Sequence, residues 1–281
     1  MLNVNLRNAD LGNTLTTTGA ETVNLFSSTG IDGTAADGAV NTATAITMTA
    51  TAANETLVIT GDVALTLTGA ITADTINASA MTGALTMAAA TVATGGAAIT
   101  GGAGSDTLFG STANDIINGG AGADRIIGSS SAGALVADQA DVLTGGAGAD
   151  TFVFYDTLAG AATVSNATKG SLTKITDFVA GTDKIALITG GPATSIVINT
   201  AQTVATAANV GDVITNMTAL AAGSVANGAL QAVVVTVQAG AAAGTYLYVN
   251  DTTAGKSATN DLLIDITGVS GTISAGDFLF A

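Results

Sequence analysis

A nine-residue repeat with one aspartate and one large apolar residue dominates residues 101–154. Its template is G-G-x-G-x-D-x-U-x, where U is the large apolar residue. The aspartate position is filled five times, by Asp106, Asp115, Asp124, Asp141 and Asp150. The apolar position follows two residues later, as Leu108, Ile117, Ile126, Leu143 and Phe152. Because successive aspartates are 9, 9, 17 and 9 residues apart, one eight-residue unit interrupts the register.

Each repeat unit predicts one tight turn and one short strand. The glycines favour the turn because glycine tolerates positive φ without steric cost. In the D-x-U part, the apolar side chain points into a narrow core and the aspartate points toward the turn. Two units complete one coil, so each turn stacks on the turn two units away. The predicted fold is therefore all-β, a right-handed parallel β-helix or β-roll solenoid.

Stacked turns of this kind offer carboxylates and bare backbone carbonyls to one another. Hard oxygen ligands of that type suit Ca²⁺, so several calcium ions are expected. The predicted ligands are the five repeat aspartates together with the turn glycines Gly102, Gly104, Gly120, Gly122, Gly146 and Gly148.

The interrupting unit at 128–135 leaves two arrangements of the aspartates open. If it forms a shortened rung, Asp141 shares an edge with Asp124, and Asp150 shares the other edge with Asp115. If it loops out, Asp141 changes edge. The first arrangement is favoured, because eight residues is close to one rung and the glycines of this unit can turn.

These repeats resemble those of the RTX (repeats-in-toxin) family of secreted bacterial proteins. GGAGSDTLF, GGAGADRII and GGAGADTFV match the family pattern at every defined position. GSTANDIIN departs from it, because Ser111 and Ala113 replace two glycines, and VADQADVLT keeps only the aspartate and the apolar residue. The resemblance implies calcium loops built on a β-roll.

Composition narrows the function classes. The chain has 21 acidic and 6 basic residues, so little cationic surface is available for a nucleic acid. Cysteine and histidine are both absent, which removes disulfides and the usual nucleophile–base pairs. We therefore expect no enzymatic activity, and we expect calcium to supply the stabilisation that disulfides often give secreted proteins.

Residues 1–100 contain short runs in which apolar residues alternate with threonine, such as Leu57–Thr60 and Leu65–Thr68. We interpret them as degenerate solenoid repeats leading into the nonapeptides at 101–155; a separate Thr-rich β-sandwich is the alternative. The segments Gly19–Leu25 and Thr75–Met87 resemble the Ala/Thr-rich repeats that precede the nonapeptides in RTX-type surface-layer proteins.

Residues 156–281 are expected to form a C-terminal β-rich cap with one helix. Lys174–Ile185 resembles a segment that follows RTX repeats, and its Asp177 and Asp183 are candidates either to bind calcium or to cap the turn backbone. The helix is predicted at 205–222, where apolar residues recur at helical spacing. Its apolar face is expected to pack in the core.

Export would use a signal other than an N-terminal signal peptide; the alternative is that the chain is a fragment of a longer protein. No basic start followed by an apolar stretch is visible at the N-terminus, and no apolar run approaches the length of a membrane span. The segment 245–281 resembles the closing hairpins of type I secreted RTX proteins, in which such a tail lies in an uncleaved C-terminal export signal. The resemblance thus implies a secreted protein and a type I exporter as a partner.

The predicted function is a calcium-dependent, self-assembling structural protein of the bacterial cell surface, such as a surface layer or extracellular scaffold. Its main partner would be another copy of itself, with lipopolysaccharide contacted through a region not recognisable in this sequence. The alternative is the C-terminal secretion and folding module of a larger RTX adhesin, toxin or exoenzyme.

Overall fold

The computed structural model describes residues 1–7, 10–18, 21–28, 41–49, 55–87, 95–128, 140–156, 172–189, 195–217, 229–250 and 262–280. Within these residues the chain is nearly all β, with twenty-two strands and one α-helix. It divides into two compact units. Unit 1 is Met1–Ala132 with Leu143–Thr151, and unit 2 is Gly133–Val142 with Phe152–Ala281. The three-part division at 100 and 155 stays a prediction.

In unit 1 the chain alternates between two sheets. One sheet contains, in spatial order, β1 (Leu2–Arg7), β3 (Thr22–Ser28), β5 (Thr56–Gly61), β7 (Thr75–Met81), β9 (Ala98–Thr100), β11 (Ile116–Ala121) and β13 (Val142–Ala147). The other contains β2 (Asp10–Thr18), β4 (Asn41–Thr49), β6 (Leu65–Leu67), β8 (Leu85–Met87), β10 (Thr107–Phe109) and β12 (Arg125–Ile127). The neighbours whose register is described are parallel, which is consistent with a β-roll.

The short strands form because apolar residues flank a threonine. In β6 and β8 the two outer residues are buried and the central threonine is at least partly exposed, as the period of two requires. Parallel pairing in register then stacks apolar side chains on one another. One such buried column consists of Val23, Leu57, Ile76, Ile99 and Ile117. The five apolar residues of the nonapeptides are also fully buried, as the repeat predicted.

Unit 2 combines parallel and antiparallel pairs. Its strands are β14 (Thr151–Asp156), β15 (Lys174–Ile175), β16 (Lys184–Thr189), β17 (Ser195–Ile198), β18 (Gln202–Thr206), β19 (Ala229–Ala239), β20 (Gly244–Asn250), β21 (Leu262–Asp265) and β22 (Phe278–Phe280). Strands β19, β20 and β21 are antiparallel neighbours. Strands β17 and β18 pair in parallel with successive parts of β19, and β16 pairs in parallel with β22.

The helix α1 is shorter than the sequence predicted, and runs from Val210 to Asn216. Asn209 caps its N-terminus in a capping box with Asp212, which fixes the start. Ala205 and Thr206, inside the predicted range, belong instead to β18, because pairing with β19 outweighs their local helix preference. Residues 218–222 lie outside the described chain. The apolar face of α1 packs in the core of unit 2, as expected.

Two adjacent isoleucines of β11 test which side chains face the core and which face solvent. Ile117 is fully buried in the apolar column, whereas Ile116 is 61% exposed on the same strand. We expect Ile117→Ala to lower the free energy of unfolding by about 2–5 kcal/mol, through lost burial and a cavity. Ile116→Ala should cost less than about 1 kcal/mol. Denaturant titration at fixed calcium measures both; equal losses would contradict the assignment.

Candidate calcium site

Three Gly-Gly-Ala-Gly turns lie one above another on one edge of unit 1, at residues 101–106, 119–124 and 145–150. We call them the glycine-turn column. The backbone nitrogen of Asp106 donates to Asp124 Oδ1 at 2.7 Å, and that of Asp124 donates to Asp150 Oδ1 at 2.9 Å. All three aspartates are buried. Each carboxylate is therefore tied to the backbone of the preceding turn.

This contact corrects the favoured arrangement of the aspartates. Asp150 lies beside Asp124 and not on the edge of Asp115, whereas Asp141 directly precedes β13, the neighbour of the β11 strand that Asp115 precedes. The favoured edge assignment of Asp141 and Asp150 is thus wrong, while residues 129–139, which include most of the interrupting unit, lie outside the described chain. The physical reason is that the matching glycines of 119–124 and 145–150 stack directly on each other, which sets the register regardless of the residues between them.

The repeat carboxylates also hold the turns together without a cation. Asp106 Oδ1 accepts a hydrogen bond from Leu85 N at 2.7 Å, and its Oδ2 accepts one from Gly102 N at 2.6 Å. Asp115 repeats this arrangement on the other edge. An aspartate at this position thus joins its own turn to the preceding rung. Sequence reasoning assigned these residues to calcium and missed the hydrogen bonds between rungs.

Asp124 differs from Asp106, its neighbour in the glycine-turn column. It is only 2% exposed, and its Oδ2 is a buried atom with no hydrogen-bond partner. A buried carboxylate oxygen without a donor is costly, because it has lost its water without replacement. This oxygen is therefore available to a cation.

The glycines of the column are required both by conformation and by close approach. Positive φ angles occur at Gly120, Gly122, Gly146 and Gly148. A Cβ at Gly148 would collide with the carbonyl oxygen of Gly122, and one at Gly122 would collide with that of Gly104. The same relation holds along Gly102, Gly120 and Gly146. The predicted glycine ligands are thus brought together as stacked backbone groups.

Electrostatics favour a cation at Asp124. Burial raises the pKa of this carboxyl group from 3.8 to about 7, against the lowering effect of the Asp106 N–H, and the charges of Asp106 and Asp150 raise it further. Burial likewise raises the pKa values of Asp106 and Asp115, while backbone hydrogen bonds oppose the shift. The ionised column is therefore unfavourable on its own, and a positive ion would relieve it.

The donor set fits calcium. Within the described residues, no three acidic side chains converge as a ready-made ligand cluster. A cation at Asp124 would therefore take further ligands from the glycine carbonyls of the column. Calcium accepts such mixtures of carboxylate and carbonyl oxygen in flexible geometry. Asp124 and the column glycines are the residues that would hold it.

Asp177 and Asp183 lie outside the glycine-turn column, within unit 2. Asp183 is buried, and its Oδ2 accepts a hydrogen bond from Val179 N at 2.7 Å. Its own backbone nitrogen donates to Val179 O at 2.9 Å. This geometry favours the turn-capping alternative for Asp183 over calcium binding.

Parallel sheets joined by stacked glycine–aspartate turns are typical of calcium-repeat proteins. Four copies of the RTX calcium-binding nonapeptide repeat match residues 100–132 and 137–154. No curated protein matches the sequence. The repeats support membership of this chain in the RTX family, and they imply calcium binding and a secreted protein of the RTX type. Among the described residues, no helix has the length and apolar character to span a membrane.

Glycine substitutions test the stacked turns. Gly148→Ala should destabilise the chain by about 1–3 kcal/mol from backbone strain at φ +144°, and by more through collision with the carbonyl of Gly122. It should also weaken calcium binding. Gly95→Ala is the matched control, since a Cβ there meets nothing within 4 Å and φ is not positive. Thermal unfolding and calcium titration of both variants provide the measurement; a similar response from the two would refute the stacking requirement.

The raised pKa of Asp124 predicts how the metal-free protein responds to pH. Between pH 4 and pH 7 the folded state binds more protons than the unfolded state, so the free energy of unfolding falls as pH rises. Melting temperatures in metal-depleted buffers should therefore decrease across this range.

Substituting Asp124 isolates its contribution to the fall in melting temperature with rising pH. Asp124→Asn should make the decline smaller, without removing the part due to Asp106 and Asp115. Asp62→Asn, which removes one exposed negative charge outside the nonapeptides, is the control variant. A melting temperature that rises with pH would contradict the assigned sign.

Proposed function

We propose that this protein is a calcium-dependent, self-assembling structural protein of the bacterial cell surface. It is exported unfolded by a type I exporter and folds on meeting extracellular calcium. The observation that carries the proposal is the glycine-turn column, in which the buried Asp124 carboxylate has an unsatisfied oxygen and two neighbouring carboxylates.

The mechanism is ionic. Without a cation, the buried carboxylates of the column repel one another and lack sufficient donors, which opposes the stacking of the turns. Calcium supplies positive charge and accepts oxygen ligands from the carboxylate and the glycine carbonyls. Because the column exists only in the folded chain, the free energy of calcium binding becomes folding free energy. Extracellular modules of this kind bind calcium at about 10⁻⁴–10⁻³ M.

The winding of unit 1 is part of the proposal. Successive strands of one sheet are parallel and are connected through a strand of the other sheet. Crossovers between parallel strands of a sheet are right-handed in about 98% of cases. We therefore assign unit 1 a right-handed β-roll solenoid.

Exposed sheet edges support self-assembly. Among the described strands, β17 ends one sheet and β22 ends the other. Each carries an exposed apolar residue, Val197 at 47% and Leu279 at 45%. Unprotected edges present unpaired backbone groups that readily pair with another chain. A head-to-tail contact between unlike edges propagates indefinitely unless it closes into a ring. The chain's acidic surface adds a second route, bridging by calcium.

The proposal names no catalytic role, since the chain lacks the histidine and cysteine on which most nucleophile–base pairs depend. The partners are other copies of the chain and the exporter. Contact with lipopolysaccharide would use a region not recognisable in this sequence.

A secretion and folding module of a larger RTX adhesin, toxin or exoenzyme is the second candidate. One observation favours it. Asp277, near the C-terminus, contacts the segment Lys174–Ile185, which resembles the segment that follows RTX repeats. Asp277 is buried and accepts hydrogen bonds from Gly181 N at 2.8 Å and Ser274 N at 2.8 Å, and it lies 3.7 Å from Lys184 Nζ. Such a closed end suits a module that terminates a solenoid.

Calcium-controlled assembly is tested by light scattering and negative-stain microscopy, in chelator and then in millimolar calcium. Ordered lattices or filaments should appear only with calcium and dissolve again in chelator. Asp124→Asn should raise the calcium concentration needed for folding and assembly, because it removes the unsatisfied carboxylate oxygen.

The exposed Asp62 provides the matched control, because Asp62→Asn removes the same charge outside the nonapeptides. This variant should assemble like the wild type. A folded protein that stays monomeric at all calcium concentrations would exclude the scaffold and favour the secretion module. No change of folding or size with calcium would exclude both.

A further inference from the structure

The turns of the repeat block are of two kinds. In the turns 101–106 and 110–115, the backbone nitrogen of the second residue donates to the aspartate that ends the turn. In the turns 119–124 and 145–150, the second and fourth residues are glycines with positive φ. Asp124 Oδ2 then receives no donor. The open conformation therefore leaves a carboxylate oxygen for a ligand, whereas the closed conformation satisfies it internally.

Ser111 closes the turn 110–115 more fully than glycine would. Its Oγ lies 2.9 Å from Asp115 Oδ1 and 3.1 Å from Oδ2, and its backbone nitrogen donates to Oδ2 at 2.6 Å. Ala97 N donates to Oδ1 at 2.6 Å. Both carboxylate oxygens thus have donors from the protein, in a residue that is only 1% exposed.

The serine hydroxyl is itself held in place. Ser111 is fully buried, and its Oγ accepts a hydrogen bond from Ala113 N at 3.0 Å. The hydroxyl therefore stands between the turn backbone and the carboxylate, where it donates to one and accepts from the other. A cation in this place would bind the carboxylate oxygens as ligands, but it could not accept a hydrogen bond from Ala113 N.

We propose that hydrogen bonds from Ala97 and Ser111 take the place of a calcium ion in the turn 110–115, so that calcium binding is confined to the glycine-turn column and is centred on Asp124. This inference rests on the proposed calcium binding and adds which aspartates the ion requires. Asp115 then stabilises its edge through hydrogen bonds alone. The repeat block has one edge that responds to calcium at Asp124 and a turn on the other edge that does not.

Counting bound calcium on the full chain tests the proposal. Native mass spectrometry gives the number of ions, and isothermal titration gives their affinities. Asp124→Asn should lose at least one ion, whereas Asp115→Asn should keep the wild-type number and affinity. Circular dichroism in saturating calcium verifies that each variant is folded.

A second variant keeps the test decisive if Asp115→Asn fails to fold. Ser111→Ala removes the hydroxyl contacts but keeps the two backbone donors to the Asp115 carboxylate, the same pair that satisfies Asp106, whose turn has Gly102 at the matching position. It should bind the same number of calcium ions as the wild type.

The outcomes separate this inference from the function on which it rests. A wild-type chain that binds no calcium overturns the proposed function and this inference together. If the wild type binds calcium but Asp115→Asn loses an ion as Asp124→Asn does, only the assignment of the turn 110–115 is overturned. The same conclusion follows if the folded Ser111→Ala variant binds a different number of ions from the wild type.

Discussion

The hydrogen bond between a backbone N–H of one rung and an aspartate carboxylate of the next is the interaction on which the repeat block depends. It places a carboxylate in the interior beside the apolar column. Burying a carboxylate there costs free energy unless both of its oxygens accept hydrogen bonds or bind a cation. Asp106 and Asp115 obtain that satisfaction from the turn backbone and, in one case, a serine. Asp124 accepts a hydrogen bond at Oδ1 but has no donor at Oδ2. This unsatisfied Oδ2 is the reason to expect a cation. The glycines of the column also bring backbone carbonyl oxygens close to the turn, where they could act as further ligands.

The same edge is built differently in the first part of unit 1. The register places Leu65 beside Leu85, and Leu85 N donates to the Asp106 carboxylate. Both leucines are fully buried. A position filled by a leucine in the degenerate repeats is thus filled by an aspartate in the nonapeptides. Leucine stabilises the contact between rungs through the hydrophobic effect, which needs no ion. Aspartate stabilises it through hydrogen bonds and, at Asp124, a cation. The degenerate repeats are therefore stabilised at this position by apolar burial, and the nonapeptides by hydrogen bonds and ion binding.

Unit 2 is stabilised in a more usual way. Its helix and antiparallel hairpins enclose an apolar cluster that includes Val213, Tyr246 and Tyr248. Tyr246 satisfies its buried hydroxyl with a 2.6 Å hydrogen bond to Ala242 O, so its large apolar area is buried without leaving a polar atom unpaired. Asp277 fastens the chain near the C-terminus through Gly181 and Ser274. None of these contacts involves the nonapeptides, so unit 2 has a core of its own.

The sequence by itself determined the strands, their inward residues and the class of ligand. Alternation of apolar residues with threonine identifies which side chains are buried, and the nonapeptide spacing identifies calcium turns, because both are local properties of the backbone period. Only the tertiary structure decided which turns meet. Asp150 lies beside Asp124, because stacking of bare glycine backbones fixes the register over an irregular insertion whose length suggests otherwise. The role of Ser111 was equally hidden: as a replacement for glycine it looked like a weakened repeat, and only the position of its hydroxyl under the Asp115 carboxylate reveals a compensating contact. Helix α1 is shorter than its pattern because β18 pairs with β19, and such long-range pairing leaves no trace in a local sequence window.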